Sequence, residues 1–317
     1  MHIFRWDLDK TYLETSFGSV RGLIRTAFET ADEKKNVPGS AALLRALVKA
    51  DPDCQVTVLS GSPTQMREVL EEKFALDGIS IHNLVLKDNL RNIRKGRIKA
   101  VTNQIGYKLP VLFQQRAGYG PGNTETLFGD DTESDALIYT LYAEFLAGKV
   151  TIKQIGQVME IMGTRREAIN TTFAAIEKLH EGDVVEDIFI RIHRGIPMRA
   201  YNSLSPKVIP VFSWFQAGII LLLRGRITPE GLARTAASCC HSDSLTNENL
   251  SGLAQDLVRR GHISGQRFVE KIQDNTSLKP LIPSLEEAFC DLGTGDYSTP
   301  QMQLNPLNFA DQLKSFR

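Results

Sequence analysis

The sequence predicts a parallel α/β sheet domain over residues 1–150, followed by an all-α domain over residues 151–292. Two observations predict the sheet: short apolar runs alternate with helical periodicity, and three of these runs end in acidic or hydroxyl residues. After residue 150 the patterns are helical, and no run alternates as a strand does. The polar, proline-containing composition of residues 293–317 predicts an extended or disordered tail.

Four strands are predicted in the first domain, at His2–Trp6, Gln55–Leu59, Leu84–Leu86 and Glu125–Phe128. Between and after them, apolar residues recur with the spacing of one helix face. The helices predicted in this way run from Val20 to Ala31, Leu43 to Val48, Met66 to Phe74 and Leu137 to Phe145.

Ser62 and Pro63, with Gln65 beyond them, predict an N-cap and a capping box at the start of the helix that begins near Met66. In the second domain the most apolar segment runs from Val208 to Leu223, and it is predicted to be a buried helix. It is shorter than the roughly 18 apolar residues that a membrane-spanning helix needs. Two further capping boxes predict helix starts, at Thr151 with Gln154 and at Thr164 with Glu167.

The bulk composition excludes several partners. Lys plus Arg and Asp plus Glu both number 37 in a chain of 317 residues, so no overall charge attracts nucleic acid, and none is expected as a partner. No transmembrane segment is expected either. The four cysteines lack paired metal spacing, and no apolar leader precedes Asp7, which together predict a cytoplasmic protein with reduced thiols.

Three predicted strands end in residues suited to phosphoryl transfer. The first leads into WDLDKT at 6–11, the second ends in SGSP at 60–63, and the fourth in GDD at 129–131, with Asp135 following. Lys108 lies between the second and the fourth. Because ligands of open α/β sheets bind beyond the carboxyl ends of the strands, we expect these groups to converge.

Each residue type has a chemical reason to be there. A phosphate ester repels anionic nucleophiles, so Asp7 can attack only where cations neutralise the phosphoryl oxygens. Mg²⁺ held by Asp7, Asp130 and a backbone carbonyl would supply that charge, and Lys108 would add to it. Ser60 would donate to a phosphoryl oxygen. Asp9 would protonate the leaving alcohol and then activate the water that hydrolyses the aspartyl-phosphate.

Taken singly, these motifs have ordinary explanations. Asp-x-Asp-x-Thr occurs in surface turns, a serine after a strand usually caps a helix, a lysine usually faces water, and Gly-Asp-Asp can be an acidic loop or a calcium site. All four in this order, three of them at strand ends, are difficult to obtain by chance. The catalytic interpretation is therefore favoured.

On these motifs the first 150 residues or so resemble the haloacid-dehalogenase (HAD) superfamily. The resemblance implies a HAD-type Rossmann-like sheet domain and a Mg²⁺-dependent phosphatase with Mg²⁺ as cofactor. It implies these roles: Asp7 and Asp9 catalytic; Thr11, Ser60, Gly61 and Lys108 phosphate-binding; Asp7, Asp9 and Asp130 metal-binding; Asp131 and Asp135 supporting the metal site.

A closer resemblance is to the actin-patch-type phosphatidate phosphatases. It is carried by SGSP at 60–63, LKD at 86–88, the lysine of YKLPVL and GDDTESDALIY at 129–139. It implies phosphatidate or another bulky phosphate ester as substrate, although Tyr107 stands where that family usually has His. The alternatives are a small-metabolite or nucleic-acid-end phosphatase, and a scaffold or binding protein that acts through its helical domain. The intact Asp9 argues against the scaffold.

A basic cluster bears on the partner. It would bind a phosphorylated head group or make peripheral contact with anionic lipid, or else it is a solvated helix face, which is the favoured interpretation. The cluster comprises Lys87, Arg91, Arg94, Lys95, Arg97 and Lys99.

Overall fold

A computed structural model describes residues 1–15, 29–87, 104–132, 134–177, 179, 182–243, 245–290, 292 and 304–315. The helix predicted from Val20 lies almost entirely outside these residues, as does the basic cluster apart from Lys87. The prediction for both stays open.

Within the described residues, six strands form one parallel sheet in the order β3-β2-β1-β4-β5-β6. The predicted α/β class with a helical C-terminal region is therefore confirmed, and so are the four predicted strands. The strands are β1 (His2–Trp6), β2 (Gln55–Pro63), β3 (Asn83–Lys87), β4 (Thr124–Asp130), β5 (Val185–Arg191) and β6 (Val208–Val211).

Helices cover both faces of the sheet, and single turns of 3₁₀ helix lie at Thr64–Met66 and Lys279–Leu281, with a longer one at Met198–Ser203. The α-helices are α1 (Ser40–Ala50), α2 (Arg67–Leu76), α3 (Ile105–Arg116), α4 (Asp135–Leu146), α5 (Ile152–Ile161), α6 (Arg166–Ile176), α7 (Trp214–Leu223), α8 (Pro229–Asp243), α9 (Asn247–Arg259), α10 (Gly265–Ile272), α11 (Ile282–Cys290) and α12 (Pro306–Ser315).

Two apolar cores lie on opposite faces, because successive strand residues point to opposite sides of a sheet. On one face Trp6 stacks on Phe128, with ring centroids 4.1 Å apart, and α1, α2 and α7 to α11 cover them. On the other face Leu127 and Ile188 meet α3 to α6 and α12. Residues from both predicted domains thus contribute to each core.

Two strands occupy the region that was predicted to be all helical. β5 is apolar only at its centre, and polar residues such as Glu186 and Asp187 obscure the pattern. The run from Val208 to Leu223 divides into β6 and α7, because the backbone bends at Phe212 and Ser213. Both strands extend the same sheet past residue 150. The division into domains at that point stays a prediction.

One of the three predicted capping boxes is confirmed and one is wrong. The box at Thr151 is present, with its hydroxyl accepting from the Gln154 amide. Ser62 caps no helix, because β2 continues through Pro63 and α2 starts only at Arg67. α6 begins after Arg165, one residue later than the box at Thr164 predicts, and that box stays a prediction.

The predicted tail contains a helix. In α12, Phe309, Ala310 and Leu313 are buried against the second core. The Asn305 side chain accepts a hydrogen bond from the Asn308 amide, which caps the first turn. The prediction of an extended or disordered segment is therefore wrong for this part of it. No helix among the described residues has the length and apolarity required to cross a membrane.

Candidate active site

The predicted site residues gather where the strand order reverses. β1 and β4 are neighbours at the centre of the sheet, with β2 and β3 on one side and β5 and β6 on the other. This reversal leaves a crevice at the carboxyl ends of the two central strands. Asp7 directly follows β1, its amide donating to the Phe128 carbonyl over 2.9 Å, and Asp130 ends β4. The expected convergence is observed.

Three buried carboxylates form what we call the acidic cluster: Asp7, Asp130 and Asp135. One carboxylate oxygen of each lies within 4.8 Å of those of the other two. The Lys108 Nζ donates to Asp7 Oδ1 at 2.7 Å and to Asp135 Oδ1 at 2.6 Å. The formal charges of these four groups are three negative and one positive. Since burying like charges is costly, the arrangement is suited to binding a further cation.

Hydrogen bonds, a helix start and a glycine position the acidic cluster. Asp130 accepts from the Thr11 hydroxyl at 3.3 Å and from both the amide and the hydroxyl of Thr132. Asp135 begins α4, where the helix dipole favours a negative charge. A Cβ atom at Gly129 would lie 2.7 Å from the Asp135 Cβ, so only glycine allows α4 to approach this closely.

Asp9 lies beside the acidic cluster, held by two serines of β2. Its Oδ2 accepts from the Ser60 hydroxyl at 3.0 Å and from the Ser62 hydroxyl at 2.9 Å. The Ser60 oxygen also accepts from the Ser62 amide at 2.9 Å, which fixes its orientation. Lys10 follows with a φ of 64°, a left-handed conformation that turns the chain back sharply after the second aspartate.

Gly61 lies under the start of α3. A Cβ atom there would lie 2.8 Å from the Gln104 Oε1 atom. The Gln104 carbonyl in turn accepts from the Lys108 amide at 2.7 Å, in the first turn of α3. A side chain at Gly61 would therefore displace the Gln104 side-chain amide, which lies over β2 at the start of α3. Phosphate contacts by Gly61 and Thr11 stay predictions.

The two aspartates predicted to support a metal differ in position. Asp135 is part of the acidic cluster. The Asp131 carboxylate instead accepts from the backbone amides of His193 at 2.7 Å, Arg194 at 2.8 Å and Ile196 at 3.4 Å. It therefore anchors the loop after β5, and its part in a metal site stays a prediction.

Burial and neighbouring charges keep the surrounding groups neutral. Burial, with Asp135 nearby, raises the pKa of Tyr139 well above its ordinary value, so this phenol stays protonated. Burial, with Lys10 and Arg191 nearby, lowers the pKa of His193. Tyr107, next to the motif lysine, has its pKa raised by burial, and the Lys87 Nζ lies 5.4 Å from its ring centroid.

Sequence reasoning missed three contributors. Ser62 was taken for a helix cap, although alternation along a longer β2 would place it on the same face as Ser60. Thr132 has a local signal, because a threonine two residues after an aspartate often returns a hydrogen bond to it. The loop at residues 191–196 reaches the site from far along the chain, and no local pattern predicts that.

Comparison with known families agrees with this geometry. Residues 6–157 match a family model described as "Phosphatidate phosphatase APP1, catalytic domain". The match covers just under half of the chain and contains every predicted site residue. No curated protein and no solved structure matches the chain significantly. The predicted family resemblance is thereby confirmed for residues 6–157, and with it the enzyme class, a phosphoric monoester hydrolase. The match does not extend to the residues after 157.

Proposed function

We propose that this chain, whose residues 6–157 form a catalytic domain of the phosphatidate phosphatase APP1 type, is a Mg²⁺-dependent phosphatase that works through an aspartyl-phosphate on Asp7. The proposed substrate is phosphatidate or another bulky phosphate monoester. The observation that carries the proposal is the convergence of the acidic cluster, Lys108 and the serine-held Asp9 at one crevice. Location in the cytoplasm stays a prediction.

The acidic cluster fits a magnesium ion. Mg²⁺ prefers oxygen ligands from a few carboxylates together with water and phosphate oxygens. Asp7, Asp130 and the backbone carbonyl of Asp9 would hold it, with Asp135 in support, which leaves the Asp9 carboxyl group available for proton transfer. The charge of the ion would offset that of the buried carboxylates. When bound, the ion supplies the positive charge that lets a carboxylate approach an anionic phosphate.

The proposed reaction has two steps. First, an oxygen of Asp7 bonds to phosphorus, the bond from phosphorus to the alcohol oxygen breaks, and Asp9 gives that oxygen a proton. Second, Asp9 takes a proton from water, the water oxygen bonds to phosphorus, and the Asp7–phosphorus bond breaks to release phosphate. Lys108 keeps Asp7 oriented throughout. Ser60 would turn to a phosphoryl oxygen while Ser62 retains Asp9.

The described residues between the motifs favour a bulky substrate. Between Asp9 and Ser60 they form α1, most of β2 and the loops around them, and between Ser60 and Lys108 they form α2, β3 and the start of α3. These helices and strands pack in the two cores, and the described residues of the two intervals contain no separate cap domain. This supports a large phosphate ester as the substrate. No observation favours the scaffold alternative.

The decisive experiment compares single variants of the purified full chain on phosphatidate vesicles and on nitrophenyl phosphate, with Mg²⁺ or with a chelator. We expect Asp7→Asn to abolish both turnover and covalent phosphate labelling. Asp9→Asn should reduce turnover of phosphatidate by about 10²–10⁴-fold, the range typical of lost general acid–base catalysis. Asp53→Asn, at an exposed aspartate outside the crevice, is the control and should behave like wild type.

The two substrates separate the steps. Nitrophenol leaves readily without a proton, so with this ester the Asp9→Asn defect should move to hydrolysis of the phosphorylated intermediate, which should accumulate. Phosphate label on a serine, cysteine or histidine would disprove the mechanism. Activity that survives exhaustive chelation would disprove the role of Mg²⁺.

A further inference from the structure

A loop from outside the matched family region is fastened to the catalytic loops. We call residues 191–196 the rim loop. The Arg191 Nη1 donates to the Lys10 carbonyl at 3.3 Å, next to Asp9. The Arg194 Nη1 donates to the Thr132 carbonyl at 3.1 Å, beside the acidic cluster. With the three amides held by Asp131, these contacts fix the rim loop at the mouth of the crevice.

An exposed aromatic residue lies on the same edge of the sheet. Arg191 is in register with Asp130 on one side and with Val211 on the other. Phe212 directly follows Val211. Since neighbouring strands lie about 4.8 Å apart, Phe212 is about 10 Å along the edge from Asp130.

The backbone around Phe212 is well fixed, so its exposure is a property of the fold. Its side chain is 47% exposed, while its amide donates to the Gln216 Oε1 at 2.7 Å. Ser213 caps α7 by accepting from the Phe215 amide. Trp214 is fully buried, and its indole donates to the Thr11 carbonyl at 3.0 Å. A large apolar side chain is therefore presented to solvent beside the catalytic crevice.

We propose that Lys10, Arg191, Arg194 and Phe212, here called the rim, form the surface with which this protein docks onto an anionic lipid bilayer. The inference rests on the proposed function, because phosphatidate is itself a bilayer lipid. It concerns residues other than those of the basic cluster predicted between Lys87 and Lys99.

Three features support this partner. Guanidinium groups that use one N–H for a carbonyl retain further donors, and their fork geometry suits lipid phosphates. Glu14 offsets part of the charge of Lys10, at 3.8 Å, but the two arginines lie on the loop itself. Basic side chains beside an exposed aromatic are the combination that binds at a membrane interface. The nucleophile is buried, so a head group must rise into the crevice, and docking at its mouth makes that possible.

The test measures binding of the full chain to sedimented vesicles. One set contains phosphatidylcholine alone, and the other also contains phosphatidylserine, an anionic lipid that is not a phosphate monoester. We expect wild type to prefer the anionic vesicles and to be released by salt. Arg194→Gln should weaken this binding about fivefold, as expected for one basic residue at an anionic surface. Phe212→Ser should weaken it about tenfold through lost apolar burial.

A matched control lies at the opposite edge. The Arg45 Nη1 also donates to a backbone carbonyl, that of Asp77, at 2.6 Å, and the nearby Leu76 is 61% exposed. Arg45 belongs to α1, and its bond to Asp77 places its side chain beside the end of α2, where Leu76 lies. The chain continues from there to the amino end of β3, away from the crevice. The double variant Arg45→Gln/Leu76→Ser should bind vesicles like wild type. Thermal unfolding of each variant verifies that it is folded.

The outcomes are decisive in both directions. Weaker binding by folded rim variants alone supports the docking surface. Equal binding by rim and control variants, no binding by wild type, or the same affinity for neutral and anionic vesicles overturns it. Because phosphatidylserine binding requires no turnover, an active enzyme that ignores these vesicles refutes only the docking surface. An inactive protein that binds them through the rim refutes only the proposed function.

Discussion

Two groups of buried charges lie at opposite ends of the same structural elements, and they are completed in different ways. One is the acidic cluster with Lys108 at the carboxyl ends of the strands. The other, which we call the arginine network, lies toward the amino ends. Both are built from β1, β4, α3 and α4. The arginine network comprises Arg5, Gln115, Arg116, Glu125 and Tyr142.

In the arginine network the protein itself supplies the partners. Glu125 accepts from the Arg5 Nε at 2.7 Å, the Arg116 Nη1 at 3.0 Å and the Tyr142 hydroxyl at 2.8 Å. Arg5 also donates to the Gln115 Oε1 and lies 5.6 Å from the ring centroid of Tyr119. One carboxylate is thus surrounded by donors from three elements, which suits a group that stabilises the fold.

In the acidic cluster the proportion is reversed. Three carboxylates lie together, two of them paired with Lys108, and the proposed Mg²⁺ would add further positive charge. Buried charge that the fold itself does not balance is costly to keep, and it is expected where a ligand balances it during function. The comparison therefore contrasts an ion network suited to stabilising the fold with one that the proposed function requires.

The largest expected effect on stability is at Glu125. Glu125→Gln should lower the free energy of unfolding by about 3–5 kcal/mol, because it leaves two buried guanidinium groups without their carboxylate. Chemical denaturation measures this. If the free energy of unfolding fell by no more than about 0.5 kcal/mol, as is usual for surface substitutions, the structural role would be contradicted.

The pH dependence of stability provides a second test of the role of Glu125, with the same substitution. Burial acts to raise the pKa of Glu125, but Arg5, Tyr142 and Arg116 outweigh it and hold the pKa below the ordinary value of 4.5. A depressed pKa contributes stability that is present above the unfolded-state value and is lost as the pH falls through the folded-state value. Wild type should therefore lose stability in acid more steeply than Glu125→Gln.

Removing a carboxylate from the acidic cluster should have the opposite sign. Without Mg²⁺, Asp130→Asn should raise the free energy of unfolding by about 1–3 kcal/mol. Two unit charges about 5 Å apart repel by about 3 kcal/mol at an effective dielectric constant near 20. The substitution removes this repulsion, and the weakening of the hydrogen bonds from Thr132 offsets part of the gain. With Mg²⁺, wild type should gain stability and the variant should not. Thermal unfolding with and without chelator measures both.

The neighbouring residue supplies the control for this prediction. Asp131→Asn replaces one of the two carboxylate oxygens that accept from three backbone amides with an NH₂ donor, and it changes no member of the acidic cluster. It should therefore destabilise the protein whether Mg²⁺ is present or not. If Asp130→Asn is destabilising to the same extent in chelator, the acidic cluster does not store repulsion, and the contrast with the arginine network fails.

The sequence predicted the parts of the site that lie at the ends of strands. Asp7, Ser60 and Asp130 could be placed because parallel strands bring their carboxyl ends to one edge, whatever the details of packing. The strands β5 and β6 could not be found in the same way. One is flanked by polar residues, and the other is four residues long and continuous in composition with a helix.

Contacts between residues far apart in the chain also could not be predicted from local sequence patterns. The arginine network joins Arg5 of β1 to Glu125 of the neighbouring β4, and the rim loop that contacts Asp131 follows the next strand, β5. These partners lie far apart along the chain, so no pattern within a few residues predicts either contact. Ser62 is a different case. Its local pattern fitted a helix cap and a continuing strand equally well, and the hydroxyl's contact with the buried Asp9 goes with the strand.

The smallest expected effect tests that assignment. Ser62→Ala should lower kcat by about tenfold, the size expected when one hydrogen bond to a charged group is lost, with KM changed little because the proposed phosphate contact is Ser60. Asp9 would then be held less firmly as acid. The defect should therefore be larger for an alkyl phosphate, whose leaving group needs a proton, than for nitrophenyl phosphate.

Ser62→Thr, which keeps the hydroxyl, should recover most of the rate. Ser251→Ala, which removes a buried hydroxyl from α9 that donates to the Asn247 carbonyl at 2.9 Å, controls for a general loss of stability and should leave kcat unchanged. An equal defect with both leaving groups, or one confined to KM, would show that Ser62 acts on substrate binding and does not position Asp9.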